Sequence, residues 1–177
     1  RVALPPDCEI KYAIAGLRQK YRIASENEDK ISCVLDILKK HPDDLILIIG
    51  QYISQLELIA QKVSAPILTG KTSTVERERL YADFREGKER ILVVSKVANF
   101  AIDLPDASVA IQVSGSFGSR QEEAQRLGRI LRPKEKDSYF YTIVTKETVE
   151  EEFAEKRQKF LAEQGYEYEI IADGKIK

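Results

Sequence analysis

The sequence predicts an α/β domain with a mainly parallel central sheet flanked by helices on both faces. Three observations carry this. Short aliphatic runs alternate with amphipathic helical segments along almost the whole chain, the pattern of βα units. The clearest run, Leu45 to Ile49, is apolar without alternation, as a strand covered on both faces must be. Ser-x-x-Glu boxes and Gly or Pro stops punctuate the helical segments.

In order along the chain, Ile10, Ala13, Ile14, Leu17 and Tyr21 fall at helical spacing from Asp7, predicting one helix or a bent pair. Ser25 with Glu28 reads as a capping box for a helix whose stripe is Ile31, Val34, Leu35 and Leu38, closed by Pro42. After the strand ending at Gly50, a helix carries Leu56, Ile59, Ala60 and Val63. A short strand around Pro66 to Leu68 leads to a helix capped by Ser73 with Glu76, turning Leu80 and Phe84 inward and stopping at Gly87. Strands follow at Ile91 to Val94 and Val109 to Val113. Ser119 with Glu122 predicts a third capped helix through Leu131, ended by Pro133. Tyr139 to Val144 is strand, and Glu147 to Gln164 is a long helix with an acidic first turn, with Val149, Phe153, Phe160 and Leu161 inward and Gly165 at its end.

The 177 residues are 43% hydrophobic and 32% charged, with 28 Lys and Arg against 29 Asp and Glu. That suits one globular domain and excludes a disordered or collagen-like chain. The apolar run at Leu45 falls far short of the roughly 20 residues that span a bilayer. Cys8, Cys33 and the single His41 assemble no metal cluster, and the two cysteines are expected to be reduced, buried thiols of a cytosolic protein. No metal site is expected. The chain holds no Met and is expected to be a fragment of a longer protein. A net charge of -1 gives no general attraction to nucleic acid, so any such binding must come from a local patch.

In parallel sheets ligands gather at the carboxyl ends of the strands. Gly50-Gln51, Thr69-Gly70, Ser95-Lys96 and Ser114-Gly115 are therefore expected along one edge. Ala65 to Thr72 satisfies a loose phosphate-loop pattern, but its intervening residues, Pro66-Ile67-Leu68-Thr69, read as strand rather than as a glycine-rich turn with free amides. A self-sufficient phosphate-loop ATPase or kinase rests on that match, and a non-catalytic α/β binding module is the other alternative. In Gln125-Arg126-Leu127-Gly128-Arg129-Ile130-Leu131-Arg132, the spacing puts Arg129 and Arg132 on one helical face. Two guanidinium forks so placed can bind an oxyanion bidentately, and Gly128 permits close approach.

This QxxGRxxR pattern resembles motif VI of superfamily 2 helicases. The resemblance continues through LILIIGQYISQLELIAQ (motif IV), the run from Gly70 through Glu76, Arg77 and Phe84, and SKVANFAIDLPDASVAIQVS (motif V). GQY, IDLP, FGSRQEEAQRLGRILR and EKRQKFLAEQGYEYEI are similar to the xeroderma pigmentosum group B family of DNA helicases, bacterial type in particular. The resemblance implies a RecA-like three-layer fold and the second motor domain of an ATP-dependent DNA helicase. It assigns Arg129 and Arg132 to the ATP phosphates across an interdomain cleft, with Gln125, Gly128 and Asp103 near the nucleotide. Gln51, Gly70, Ser95 and Lys96 fall on loops that follow the DNA backbone. Ala101 stands where many superfamily members have Gly.

The implied cofactor is ATP with Mg²⁺, held mainly by a first RecA-like domain before Arg1. The implied partners are that domain, DNA (single strand or fork, without sequence preference) and a repair nuclease. The implied setting is nucleotide excision repair in the bacterial cytosol, nucleoid-associated, with 3′ to 5′ movement. The expected organisation is a helical lead-in over 1–24, the RecA-like domain over 25–146 and a C-terminal extension over 147–177.

Overall fold

The computed structural model of the chain describes residues 1–95, 107–115, 137–163, 165–167 and 169–171. Two helices lead in, α1 (Pro6–Ile14) and α2 (Leu17–Ser25), followed by α3 (Lys30–Lys40). The sheet is then built from β1 (Ile46–Gly50), β2 (Ile67–Leu68), β3 (Ile91–Ser95), β4 (Val109–Gln112) and β5 (Tyr139–Thr142). α4 (Ile53–Val63) connects β1 to β2, α5 (Thr74–Arg85) connects β2 to β3, and α6 (Val149–Glu163) follows β5. The strand order is β2-β3-β1-β4-β5, and each described pairing is parallel.

β1 is the central strand, and all five of its residues are buried. Because successive side chains point to opposite faces, its residues divide between two cores. Ile46 and Ile48 join Val93, Val109 and Ile111 under Val34, Ile37 and Leu38 of α3 and Leu56 and Ile59 of α4. Leu47 and Ile49 join Leu92, Val94 and Ala110 under Leu80 and Phe84 of α5. Helices therefore cover both faces, and the expected three-layer arrangement holds. Among the described residues, no helix is long and apolar enough to cross a membrane.

A polar latch closes the amino edge of the sheet. The ring of His41, just past α3, meets Asp44 at 3.0 Å through Nδ1 and the Tyr141 hydroxyl at 2.7 Å through Nε2. The Ser108 hydroxyl donates to the other Asp44 oxygen at 2.9 Å, and Arg90 donates to the His41 carbonyl at 2.9 Å. Strands β1, β3, β4 and β5 are thus tied together at their starts. The His41 ring sits 5.0 Å from that of Tyr139.

Several expectations from the sequence need correction. The first helical segment is a pair of helices, one of its two expected forms, but Ile10, Ile14 and Leu17 of its apolar spacing are exposed and Tyr21 is buried. Ser25 does not cap α3. It is the buried last residue of α2, and the turn before α3 is made by Asn27, whose side-chain oxygen accepts from the Asp29 amide at 3.0 Å. Leu35 lies toward solvent, and Cys33 and Ile37 complete the buried stripe. Cys33 is buried but Cys8 only partly so, and desolvation raises both thiols above their ordinary pKa. On α6 the fully buried residues are Glu150, Ala154 and Arg157, with the predicted Val149, Phe153, Phe160 and Leu161 only partly covered. Glu150 turns inward to the buried Lys30 of α3, and Arg157 turns inward against Gly115. The capping box at Ser73 is borne out, its hydroxyl accepting from the Glu76 amide at 3.2 Å. The third box, at Ser119 and Glu122, lies outside the described residues.

Gly50 ends β1 where there is no room for a side chain. A Cβ there would stand 2.8 Å from Leu56 Cδ2 and 3.0 Å from both Ser114 Oγ and Val113 Cγ2. Gly50→Ala is expected to destabilise the chain by about 1–3 kcal/mol through overpacking, read as a lowered urea midpoint. An unchanged midpoint would mean that α4 shifts freely away from the strand.

Candidate nucleotide and DNA edge

The strand registers bring the expected loops to one edge. Gly50 is opposite Ser95, Ile49 is opposite Gln112, and Leu68 is opposite Val94. Gln51, Thr69-Gly70 and Val113-Ser114-Gly115 therefore leave the carboxyl ends of neighbouring strands. Of the site residues predicted from the sequence, Gln51, Gly70 and Ser95 are placed here. Lys96, Asp103, Gln125, Gly128, Arg129 and Arg132 lie outside the described residues.

The loop after β2 is already hydrogen-bonded to itself. The Thr72 hydroxyl accepts from the Thr69 amide at 3.0 Å, the Thr69 hydroxyl accepts from the Lys71 amide at 3.2 Å, and the Thr72 amide donates to the Thr69 carbonyl at 3.2 Å. Amides so engaged cannot also cradle phosphate oxygens. β2 itself occupies the middle of the Ala65 to Thr72 match, so that match is a strand and its turn into α5.

The β1 and β4 ends are cross-linked where the Gln51 amide donates to Ser114 Oγ at 2.7 Å. Three buried polar atoms at this edge, Gln51 Oε1, Ser95 Oγ and Gln112 Nε2, have no hydrogen-bond partner among the described residues. Orphaned polar atoms are costly in a core, so these three mark polar space at the carboxyl edge. Beside Gln51, the Arg22 guanidinium lies 5.1 Å from the centre of the Tyr52 ring. Burial raises the Tyr52 phenol above its usual pKa. A cleft of about 150 Å³ opens next to it, lined by Glu26, Glu28, Asn27 and Ser54. Its acidic rim disfavours a polyanion.

Beneath the edge is a buried ionic cluster that the sequence reading missed. Lys30 Nζ lies 2.8 Å and 2.9 Å from the two carboxylate oxygens of Glu150 and donates to the Val113 carbonyl at 2.7 Å. The Lys30 and Glu150 side chains are 0% and 1% exposed. Glu150 also accepts from the Thr145 amide at 2.8 Å. Desolvation pushes the Lys30 ammonium pKa down, and the Glu150 carboxylate opposes that shift. Tyr21 donates its hydroxyl to the Gly115 carbonyl at 2.8 Å. The Arg157 guanidinium lies against Gly115 so closely that a Cβ there would fall 2.6 Å from Nη2. A signal for this cluster existed in the sequence. Lys30 shares the helical face of Val34 and Ile37, and Glu150, Ala154 and Arg157 follow the same spacing. Charges in register with an apolar stripe must find buried partners.

A family model described as the ERCC3/RAD25/XPB C-terminal helicase matches residues 4–176. The chain belongs to this family. It is 53% identical over 175 residues to the DNA 3'-5' helicase XPB of Mycobacterium tuberculosis, a match covering 98% of this chain and 32% of that protein. It is 36% identical over 177 residues to the general transcription and DNA repair factor IIH helicase/translocase subunit XPB of Drosophila melanogaster, covering 95% of this chain and 22% of that one. The chain thus spans about a third of the length, or less, of these XPB relatives. Among solved structures, the C-terminal domain of the DEAD-box protein Dbp5 is similar, with a TM-score of 0.66 at 21% identity over 76% of this chain and 79% of that one. That likeness shows the RecA-like fold of a helicase C-terminal domain.

Because the 69–73 loop makes its own hydrogen bonds, Lys71→Ala in a longer XPB-type protein carrying this chain is expected to leave ATP affinity within about twofold, a change of under ~0.5 kcal/mol. A loss of 100-fold or more in a nucleotide-binding titration would mean that this loop does hold phosphate.

Proposed function

We propose that the chain is the C-terminal motor domain of an XPB-type ATP-dependent DNA helicase or translocase acting in DNA repair. The observation that carries this is a division of labour at the carboxyl edge. The loop that matches a phosphate-binding pattern is occupied with its own hydrogen bonds, while the segment bearing the motif VI arginines continues directly from Gly115 of the same edge. In this reading ATP, with Mg²⁺, is held mainly by a preceding RecA-like domain of the same protein. Arg129 and Arg132 reach the γ-phosphate when the two domains close, with Gln125, Gly128 and Asp103 near the nucleotide.

Phosphoryl transfer spreads charge over the oxygens of the transferred group, and an arginine brought from another domain is worth roughly 10³ to 10⁵ in rate. Delivering it only on closure links hydrolysis to domain movement. DNA is the second ligand of the edge. Gln51, Gly70, Ser95 and Lys96 would contact its backbone, a sequence-independent grip suited to a translocating motor. Gly70 is exposed, and the Ser95 hydroxyl and Gln51 side-chain oxygen, without partners among the described residues, support a polar ligand at these strand ends.

The test uses a full-length protein carrying this domain. Arg129→Ala or Arg132→Ala is expected to lower DNA-stimulated kcat by roughly 10³-fold or more, with initial nucleotide binding mostly intact. Lys at either position should rescue poorly, because it keeps the charge and loses the planar fork. The 177-residue chain alone, as a control, is expected to show no appreciable ATP turnover. Wild-type kcat in both Ala variants at saturating ATP and DNA would refute the arginine role. Turnover by the isolated chain would refute the division between domains.

A further inference from the structure

Val113, Ser114 and Gly115 are consecutive, and each is held from a different part of the molecule. The Val113 carbonyl takes the Lys30 ammonium from α3 at 2.7 Å. Ser114 Oγ accepts the Gln51 amide from the β1 end at 2.7 Å. The Gly115 carbonyl takes the Tyr21 hydroxyl from α2 at 2.8 Å, and Arg157 of α6 packs on its α-carbon. Glu150 of α6 neutralises Lys30 and accepts the Thr145 amide after β5, joining the bracket to the far side of the sheet. Ordinary packing of a strand end requires no such convergence, since strand carbonyls at a carboxyl edge are readily satisfied by water. Here buried charges are spent on main-chain atoms directly before the segment that carries Gln125, Arg129 and Arg132.

We propose that Tyr21, Lys30, Glu150 and Arg157 are positioning residues that fix the exit of the arginine-bearing segment from β4, and through it the approach of Arg129 and Arg132 to the nucleotide. The inference rests on the reading of those arginines given above. None of the four touches the reacting atoms in this account. They act through the carbonyls of Val113 and Gly115 and the α-carbon of Gly115. Misplacing a catalytic group by about 1 Å can cost roughly 100-fold in rate, so loss of one bracket contact should be visible in turnover.

Tyr21→Phe is the mildest probe. It deletes one hydroxyl and keeps the ring, which stays seated edge-on against Phe153 with centroids 5.6 Å apart. Lys30→Met combined with Glu150→Gln removes the ammonium without stranding a charge, and the glutamine can still accept the Thr145 amide. Both are made in the full-length protein, with folding at the assay temperature checked by thermal unfolding. The expected result is a kcat for DNA-stimulated ATP hydrolysis lowered roughly 10- to 100-fold with KM for ATP within about twofold. In a background carrying both Arg129→Ala and Arg132→Ala the same changes should cost almost nothing more, because they act through the arginines. A folded Tyr21→Phe variant and a folded double variant that both keep wild-type kcat would overturn the bracket. So would losses that multiply in full with that of the variant lacking both arginines, which a merely structural effect would produce. If the arginine substitutions are themselves silent, the functional reading falls and takes the bracket with it. If they are costly and the bracket variants are silent, only the bracket falls.

Discussion

The buried pair of Lys30 and Glu150 is the interaction that the carboxyl edge depends on. Taking an ammonium and a carboxylate out of water costs several kcal/mol per ion, and their attraction offsets this only when geometry and remaining hydrogen bonds are complete. Here they are. The ammonium meets both carboxylate oxygens and the Val113 carbonyl, and the carboxylate also receives the Thr145 amide. The first turn of α3, the first turn of α6, the end of β4 and the chain after β5 must therefore all be in place together. Tyr21 and Arg157 close on Gly115 from the same side, which extends the requirement to α2.

This arrangement follows from the sheet itself. A parallel sheet covered on both faces has an interior of aliphatic side chains, as β1 shows with five buried residues. Polar groups are exported to its two ends. At the amino end they make a latch around His41 that joins strand starts. At the carboxyl end they hold main-chain atoms of loops that leave the sheet, and some have no partner there among the described residues. The proposed function places its ligands at that second end, where loops leave the carboxyl ends of the strands.

The layers and the parallel sheet were legible because aliphatic runs such as Leu45 to Ile49 admit little else, and because Ser73, Gly87 and Pro42 punctuate helices by well-understood local rules. The residues of the QxxGRxxR pattern, from Gln125 to Arg132, lie outside the described residues, so their reading still rests on the sequence pattern. The misreadings share one cause. At Ser25 a box pattern was read locally, while the chain there is governed by long-range contacts: Asn27 turns to the Ala3 carbonyl and Gln55 donates to the Ser25 carbonyl. On α6 the aromatic residues suggested the inner face, yet the buried Lys30 of α3 pairs with Glu150, and Arg157 lies inward against Gly115. Ile10 and Ile14 followed a helical period and still face solvent. Spacing shows which residues share a face and leaves open what that face meets.

The central claim is that Lys30 and Glu150 form one coupled unit joining α3, α6 and the β4 end. A double-mutant cycle on the chain, with Lys30→Met, Glu150→Leu and the pair followed by urea unfolding, tests it most directly. The account predicts that each single change costs about 3–5 kcal/mol, because it strands a buried charge, and that the double variant is much more stable than the sum of the two losses allows. Two small losses that simply add would contradict it, and would show that the two charges share a buried site without depending on each other.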